Sequence, residues 1–309
     1  MGSQQQEVAL VIGSSRGIGR QIAIDLAKAG YAVVVAAKTT SDATKCSPFP
    51  PDPNSSASTI NTVAREITEA GGKATALAVD VRNFGSIEAL VTATVSAYGR
   101  LDVLVYNSGA IWWSSVEKTP MKRFQLMQQV NPEGLYGSVQ ACLPHLYKSR
   151  RARIIVVSPP IYSRFFRGKT AYAMGKVGMS VLTMGLPMDW KREGRDHMAI
   201  TSIWPAAAIE SAATESHKAD KSELRKPTIF SDAIIAILNS PPEDVTGQCF
   251  LDEDFLREHE NIQNFEKYSV VPGSSPQRIM PAKFPDLRVA EQDDEGNRMD
   301  STTTRASKI

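Results

Sequence analysis

Tyr172 and Lys176 stand four residues apart in Ala171-Tyr-Ala-Met-Gly-Lys176, and in a helix that offset stacks both side chains on one face. Of the eight tyrosines, only Tyr172 has a lysine at this offset. A free phenol ionises near ~10 and is a poor acid or base at neutral pH, whereas a neighbouring ammonium favours the phenolate. The pair therefore suits proton exchange with a carbonyl oxygen while a reduced nicotinamide delivers hydride to the carbon. A second set of residues supplies the place for that nicotinamide. Gly13, Gly17 and Gly19, in Ile12-Gly-Ser-Ser-Arg-Gly-Ile-Gly19, follow an apolar run and open a helical pattern. Such a turn lets a pyrophosphate approach backbone amides and the positive end of a helix.

The elements that must position these groups alternate along the chain. Apolar runs predict strands over 8–12, 32–37, 74–79, 103–106, 154–157, 199–204 and 247–251. Helical spacing appears over 18–26, 60–70, 87–98, 121–147, 171–176 and 230–238. Strand-helix alternation of this kind implies a doubly wound α/β fold with a parallel sheet, where ligands bind at the carboxyl ends of the strands. Lys38 closes the second strand with no acidic neighbour, and Arg16 lies in the glycine turn. Two converging cations there suit a 2′-phosphate and point to NADP(H) over NAD(H). Asp80, before Val81, either accepts from the adenine amino group or caps the next helix. Asn107-Ser-Gly-Ala110 ends the fourth strand with small residues that let backbone lie against a flat cofactor.

Other features leave alternatives open. Trp112 and Trp113 either line an apolar substrate pocket or cover a core edge. Asn131, polar in a packing segment, faces solvent or a specific partner. Residues 39–58, rich in Pro, Ser and Asp, read as a long surface loop that either closes over the adenine end of the cofactor or is a mobile insertion. A basic-aromatic loop spans 162–169.

Composition narrows the function classes. The 309 residues, 42% hydrophobic and 22% charged, fit one α/β domain, and a net charge of +2 excludes nucleic acid or an anionic membrane surface as the expected partner. Cys46, Cys142 and Cys249 are too few and scattered for a disulfide framework or a metal site, and no metal is expected. No apolar run approaches the ~18 residues of a membrane span, and the polar lead-in over 1–6 has no secretory pattern. The domain is expected over 7–285. A charged tail over 286–309, read as disordered, ends in Ser307-Lys308-Ile309, one aliphatic swap from the peroxisomal Ser-Lys-Leu signal. An import receptor is thus an expected partner and the peroxisome the expected address, with the cytoplasm as the alternative.

These residues together resemble the short-chain dehydrogenase/reductase family over roughly residues 7–255. The resemblance rests on the glycine turn, Asp80-Val81, Asn107-Ser-Gly109, Asn131, Tyr172 with Lys176, and Pro205. It implies a Rossmann-type sheet of seven parallel strands with helices on both faces, and homodimers or homotetramers built on the helices carrying Asn131 and Tyr172. It also implies that Tyr172 is the general acid/base, that Lys176 holds the nicotinamide ribose, and that Asn131 keeps a proton-relay water beside Lys176. Gly13, Ser15, Arg16, Gly17, Ile18, Gly19, Lys38, Asp80, Val81, Asn107 and Gly109 would hold the cofactor. Ile209 and Ser211, in a lid over 205–227, would reach the carboxamide and phosphate.

The family's catalytic serine position holds Pro159, and proline has no backbone N–H and no hydroxyl to donate. Either Ser158, Tyr162 or Ser163 takes over, or activity falls. Ala36-Ala-Lys-Thr39, Ser158-Pro-Pro160 and Gly175-Lys-Val-Gly-Met-Ser180 resemble the hydroxysteroid dehydrogenase-like subgroup. The expected activity is an NADP-linked carbonyl–alcohol interconversion on an apolar, lipid-like or secondary-metabolite substrate. The rival is a catalytically weak NADP-binding scaffold or regulatory protein.

Overall fold

The computed structural model describes residues 6–287, so Ser307-Lys308-Ile309 and almost all of the expected tail lie outside the described residues. β1 (Val8–Ile12) runs through the glycine turn into α1 (Gly17–Lys28), and β2 (Ala32–Ala37) follows. After the loop come α2 (Ile60–Glu69), β3 (Lys73–Ala78), α3 (Phe84–Tyr98) and β4 (Val103–Tyr106). α4 (Met121–Gln128) continues through a π-turn, Gln129–Glu133, into α5 (Gly134–Leu146), then β5 (Arg153–Val157) and α6 (Thr170–Arg192). The chain closes with β6 (Ala199–Trp204), α7 (Ala212–Ser216), α8 (Thr228–Asn239), α9 (Pro242–Val245), β7 (Cys249–Leu251) and α10 (Asp252–His259).

Among the described residues the strands form one seven-stranded parallel sheet in the order β3-β2-β1-β4-β5-β6-β7. Its strands are apolar on both faces because both faces are covered. Val11, Val33, Val35 and Val105 pack into one helix layer, while Leu10, Ile12, Val34 and Leu104 pack into the other. Each such side chain, fully withdrawn from water, contributes roughly 1.5–3 kcal/mol. At the amino end of the sheet a buried Asp102 accepts from the Val8 amide (2.9 Å), Ser149 Oγ (2.6 Å) and Arg100 Nε (2.7 Å), tying β1, β4 and the turn before β5 together.

The strand order reverses between β1 and β4, and the carboxyl ends of those two strands carry the glycine turn and Asn107. That crevice is where open α/β sheets bind ligands. Asp80 does not cap the helix after it; Asn83 does, its Oδ1 accepting from the Ser86 amide at 3.1 Å. The 39–58 loop is no free insertion either. Gly17 N donates to the Pro53 carbonyl (2.9 Å) and Ser58 Oγ donates to the Ser15 carbonyl (2.7 Å), so the loop packs onto the glycine turn. No helix among the described residues is long and apolar enough to cross a membrane.

Candidate active site

α6 carries Tyr172, Lys176 and Ser180 at four-residue intervals, so all three face the end of β5. Lys176 Nζ donates to the Val157 carbonyl at 2.8 Å, and Ser180 Oγ donates to the Pro159 carbonyl at 2.6 Å. Tyr172 and Lys176 are both buried, at 3% exposure each. Burial brings the Lys176 pKa down to about 7 and pushes the Tyr172 phenol up. The expectation that Lys176 and an oxidised nicotinamide together favour the phenolate concerns the cofactor-bound site, whereas here burial sets the direction. Desolvation of Tyr172 dominates, and Lys176 itself binds its proton weakly. Before anything binds, the phenol is a neutral proton donor, the state needed to protonate a carbonyl oxygen.

Ser158 is fully buried, and its hydroxyl pairs with Ser202 Oγ (2.8 Å) and accepts from Ser180 Oγ (3.0 Å). That placement ties Ser158 to α6 and β6 inside the fold. Tyr162 directs its hydroxyl to the Met280 sulfur at 3.2 Å, and Ser163 is exposed at the start of a short 3-10 turn.

Asn131 sits in the π-turn, where Pro132 interrupts the helical hydrogen bonds. Its Oδ1 accepts from the Ala110 amide (2.8 Å) and its Nδ2 donates to the Ala110 carbonyl (3.1 Å), pinning the loop after β4. A Cβ on Gly109 would come within 3.5 Å of Lys176 Nζ and 3.7 Å of Asn131 Oδ1. Glycine there leaves open the space in front of the amine.

At the other end of the crevice, Gly13 (φ +90°) and Gly17 (φ +54°) adopt the left-handed backbone that favours glycine. A Cβ on Gly13 would strike the Ser108 amide at 2.5 Å, and Asn107 Nδ2 donates to the Gly13 carbonyl at 2.9 Å, so the two turns interlock. Ile18 and Gly19 begin α1, and their amides have no backbone partner among the described residues. Those amides, the glycine backbone and the space beside Lys176 fit a dinucleotide. Arg16 Nη2 reaches Thr39 Oγ1 (3.4 Å), beside Lys38, whose ammonium lies 3.3 Å from Asp80 Oδ2. Arg82 also binds the Asp80 carboxylate, through Nε at 2.8 Å, and holds it well below the usual carboxylate range. The Asp80 carboxylate is thus engaged by two cations. Val81 and Ile209 turn their side chains into the core, so any contact from them comes through backbone. Ser211 caps α7, and a Cβ on Gly17 would lie 3.6 Å from its own Cβ, which sets the lid against the glycine turn.

Sequence reasoning missed two contributors. Asn54 is buried beside Gly17 with no partner for its Oδ1 among the described residues, and its Nδ2 lies 3.4 Å from Glu215 of the lid. The chain beyond α10 returns to the site: the Ile279 amide donates to the Ala206 carbonyl (2.8 Å), and the Phe284 and Tyr162 rings meet at 5.4 Å. The signal available was the apolar residues Ile279, Met280 and Phe284 following the polar stretch Gly273-Ser-Ser-Pro-Gln-Arg278. Of the tandem tryptophans, Trp113 is half exposed, 6.4 Å from the Tyr172 ring, and packs on His217 of the lid at 4.8 Å. Phe165 approaches Tyr172 from another side at 6.2 Å and Trp204 at 5.9 Å. Tyr172 therefore stands at the foot of an aromatic wall.

The family model described as short chain dehydrogenase matches residues 7–48 and 54–222. The hydroxysteroid dehydrogenase-like protein 2 of Xenopus tropicalis is 39% identical over 268 residues, 85% of this chain and 60% of that protein. The Homo sapiens protein of the same name is 38% identical over 267 residues, with the same coverage. The chain thus spans about three fifths of the length of these curated relatives. A putative dehydrogenase from Xanthomonas campestris superposes with a TM-score of 0.78 at 34% identity, covering 92% of this chain and 98% of that one. A 7α-hydroxysteroid dehydrogenase complexed with NADH and 7-oxo glycochenodeoxycholic acid superposes at 0.64 with 26% identity, covering 79% and 92%.

The chain belongs to the short-chain dehydrogenase/reductase family of oxidoreductases. Within it, the chain falls in the hydroxysteroid dehydrogenase-like subgroup.

With its pKa brought from the ordinary 10.5 to about 7, Lys176 binds a proton in the unfolded chain that it releases in the folded one between those values. Its contribution to stability therefore grows as pH rises from about 7 towards 10.5. Urea unfolding of the wild type and of Lys176→Met across this window measures the difference. The wild type should gain stability relative to the variant as pH rises, and parallel curves would contradict the assignment.

Proposed function

We propose that the protein is an NADP(H)-dependent oxidoreductase that interconverts a carbonyl and an alcohol on an apolar, lipid-like or secondary-metabolite substrate. The observation that carries this reading is the neutral, buried Tyr172 phenol at the foot of an aromatic wall, one helical turn from Lys176, which the Val157 carbonyl holds in place. A reduced nicotinamide held there would supply hydride to the carbonyl carbon. Tyr172 gives its proton to the oxygen, and Lys176 and the space in front of Gly109 orient the ribose. Trp113, Phe165 and Trp204 exclude water from the reacting carbon and select apolar substrates.

Preference for NADP(H) is supported by Arg16, whose guanidinium reaches Thr39, and by the adjacent Lys38, while the nearby Asp80 carboxylate is already engaged by Lys38 and Arg82. The solved 7α-hydroxysteroid dehydrogenase contains NADH, so the preference for this chain rests on its own cations. Association into a homodimer or homotetramer is supported by Tyr136 on α5 and by Met174, Val181 and Met188 on α6, all large apolar side chains exposed on the surface. Light scattering of the purified protein checks it. Peroxisomal import through Ser307-Lys308-Ile309 is supported by the sequence of the terminus.

Purified protein should consume NADPH with at least one member of a panel of 3-ketoacyl thioesters, steroids and aryl ketones. Tight NADPH binding with no turnover across the panel favours the catalytically weak scaffold, and Pro159→Ser is then the variant to make. Lys38→Asp should weaken NADPH roughly 10-fold or more, the scale of a lost charge-assisted contact, and NADH far less; equal losses would sink the NADP assignment. Deleting residues 307–309 should release a fluorescent fusion from puncta into the cytosol, and unchanged puncta would remove the terminus from consideration.

A further inference from the structure

Proton transfer through Tyr172 gives no task to the cations of the loop ahead of α6, and one of them is placed where a substrate must pass. Lys169 is part-buried at the first residue before α6. Its ammonium lies 4.5 Å from the centroid of Phe165 and 5.5 Å from that of Trp113. These are the two rings that stand against Tyr172. Several lysines have a counter-charge or an acceptor: Lys38 faces Asp80, Lys28 faces Asp25, and Lys176 donates to Val157. Among the described residues no carboxylate or hydrogen-bond acceptor meets the Lys169 ammonium; its contacts are ring faces. α6 has no acidic residue in its first turn to take that place.

Partial desolvation of an ammonium without a counter-ion is costly, and ring faces offset only part of the cost. Burial accordingly lowers the Lys169 pKa. An anion brought by a ligand would restore the balance. The cofactor phosphates are not that anion, because the glycine turn, Arg16 and Lys38 serve them at the other end of the crevice. We propose that Lys169 binds a carboxylate carried by the substrate itself, so that the preferred ligands are apolar keto acids and the matching hydroxy acids rather than neutral ketones. One ammonium between two apolar ring faces matches a single negative charge, and a dianionic phosphate would leave a charge unbalanced there. Lys169 precedes Tyr172 by one helical turn, so carboxylate and carbonyl are separated by a short spacer along the aromatic wall. Lys169 is thus a specificity-determining residue, an inference that rests on the carbonyl-reductase reading of the same site.

The test compares benzoylpropionate with its methyl ester, which keeps the aryl ketone and removes the charge. Calorimetry on the full-length protein with NADP⁺ gives the ratio of the two affinities without requiring turnover. The wild type should bind the acid about 10-fold or more tightly than the ester, as for a charge-assisted contact. Lys169→Met should bring the ratio close to one, and Lys169→Arg should restore it. A wild-type ratio near one, no binding of either compound, or a preference that survives in Lys169→Met would overturn the proposal. NADPH oxidation with the same pair separates the two readings. Preferential binding of the acid without turnover keeps the carboxylate site and sinks the reductase, whereas turnover of acid and ester alike does the reverse.

Discussion

The attachment of α6 to the end of β5 is the constraint on which the site depends. A lysine fully withdrawn from water has few ways to satisfy its protons, and Lys176 places one on the Val157 carbonyl. Ser180 repeats the clasp one turn later on the Pro159 carbonyl. Together they fix the rotation of α6 about its own axis and its height above the sheet. Tyr172, one turn the other way, consequently has a single place to stand. Overpacking or slipping at that junction would move the phenol away from any carbonyl held by the aromatic wall.

The crevice between β1 and β4 is closed by segments that meet it from four parts of the chain. The loop after β2 clasps the glycine turn through Pro53 and Ser58, and Asn131 pins the loop after β4. The lid reaches Asn54 at one end and Trp113 at the other. The return of the chain past α10 seats Met280 and Phe284 against Tyr162. Cofactor and substrate ends thereby share one wall. Charge divides that wall: Arg16 and Lys38 stand at the glycine-turn end, and Lys169 at the Tyr172 end.

Much of this was legible in the residues because the signals are local. The strands are short apolar runs buried on both faces, and Ala199 to Trp204 was readable to the residue. Tyr172 with Lys176 and the glycine turn declare themselves by spacing. What stayed hidden depends on contacts between distant segments. Pro, Ser and Asp in 39–58 read as a surface loop that either closes over the cofactor or is mobile, and composition could not show the two hydrogen bonds that hold it to the glycine turn. Ser158 stood beside the expected position, but its neighbours Ser180 and Ser202 come from another helix and another strand and take its hydroxyl inward. Burial raises the phenol and lowers the lysine, because spacing shows that a lysine is near but not how completely both groups are dehydrated.

The central claim is that Tyr172 supplies the proton in a carbonyl reduction. Its most direct test is single-turnover NADPH oxidation by Tyr172→Phe beside the wild type, with NADPH affinity measured on both proteins. The account predicts a loss of roughly 10²- to 10⁴-fold in the rate, the range for removing a general acid, with cofactor affinity retained. A variant that oxidises NADPH at the wild-type rate would contradict it.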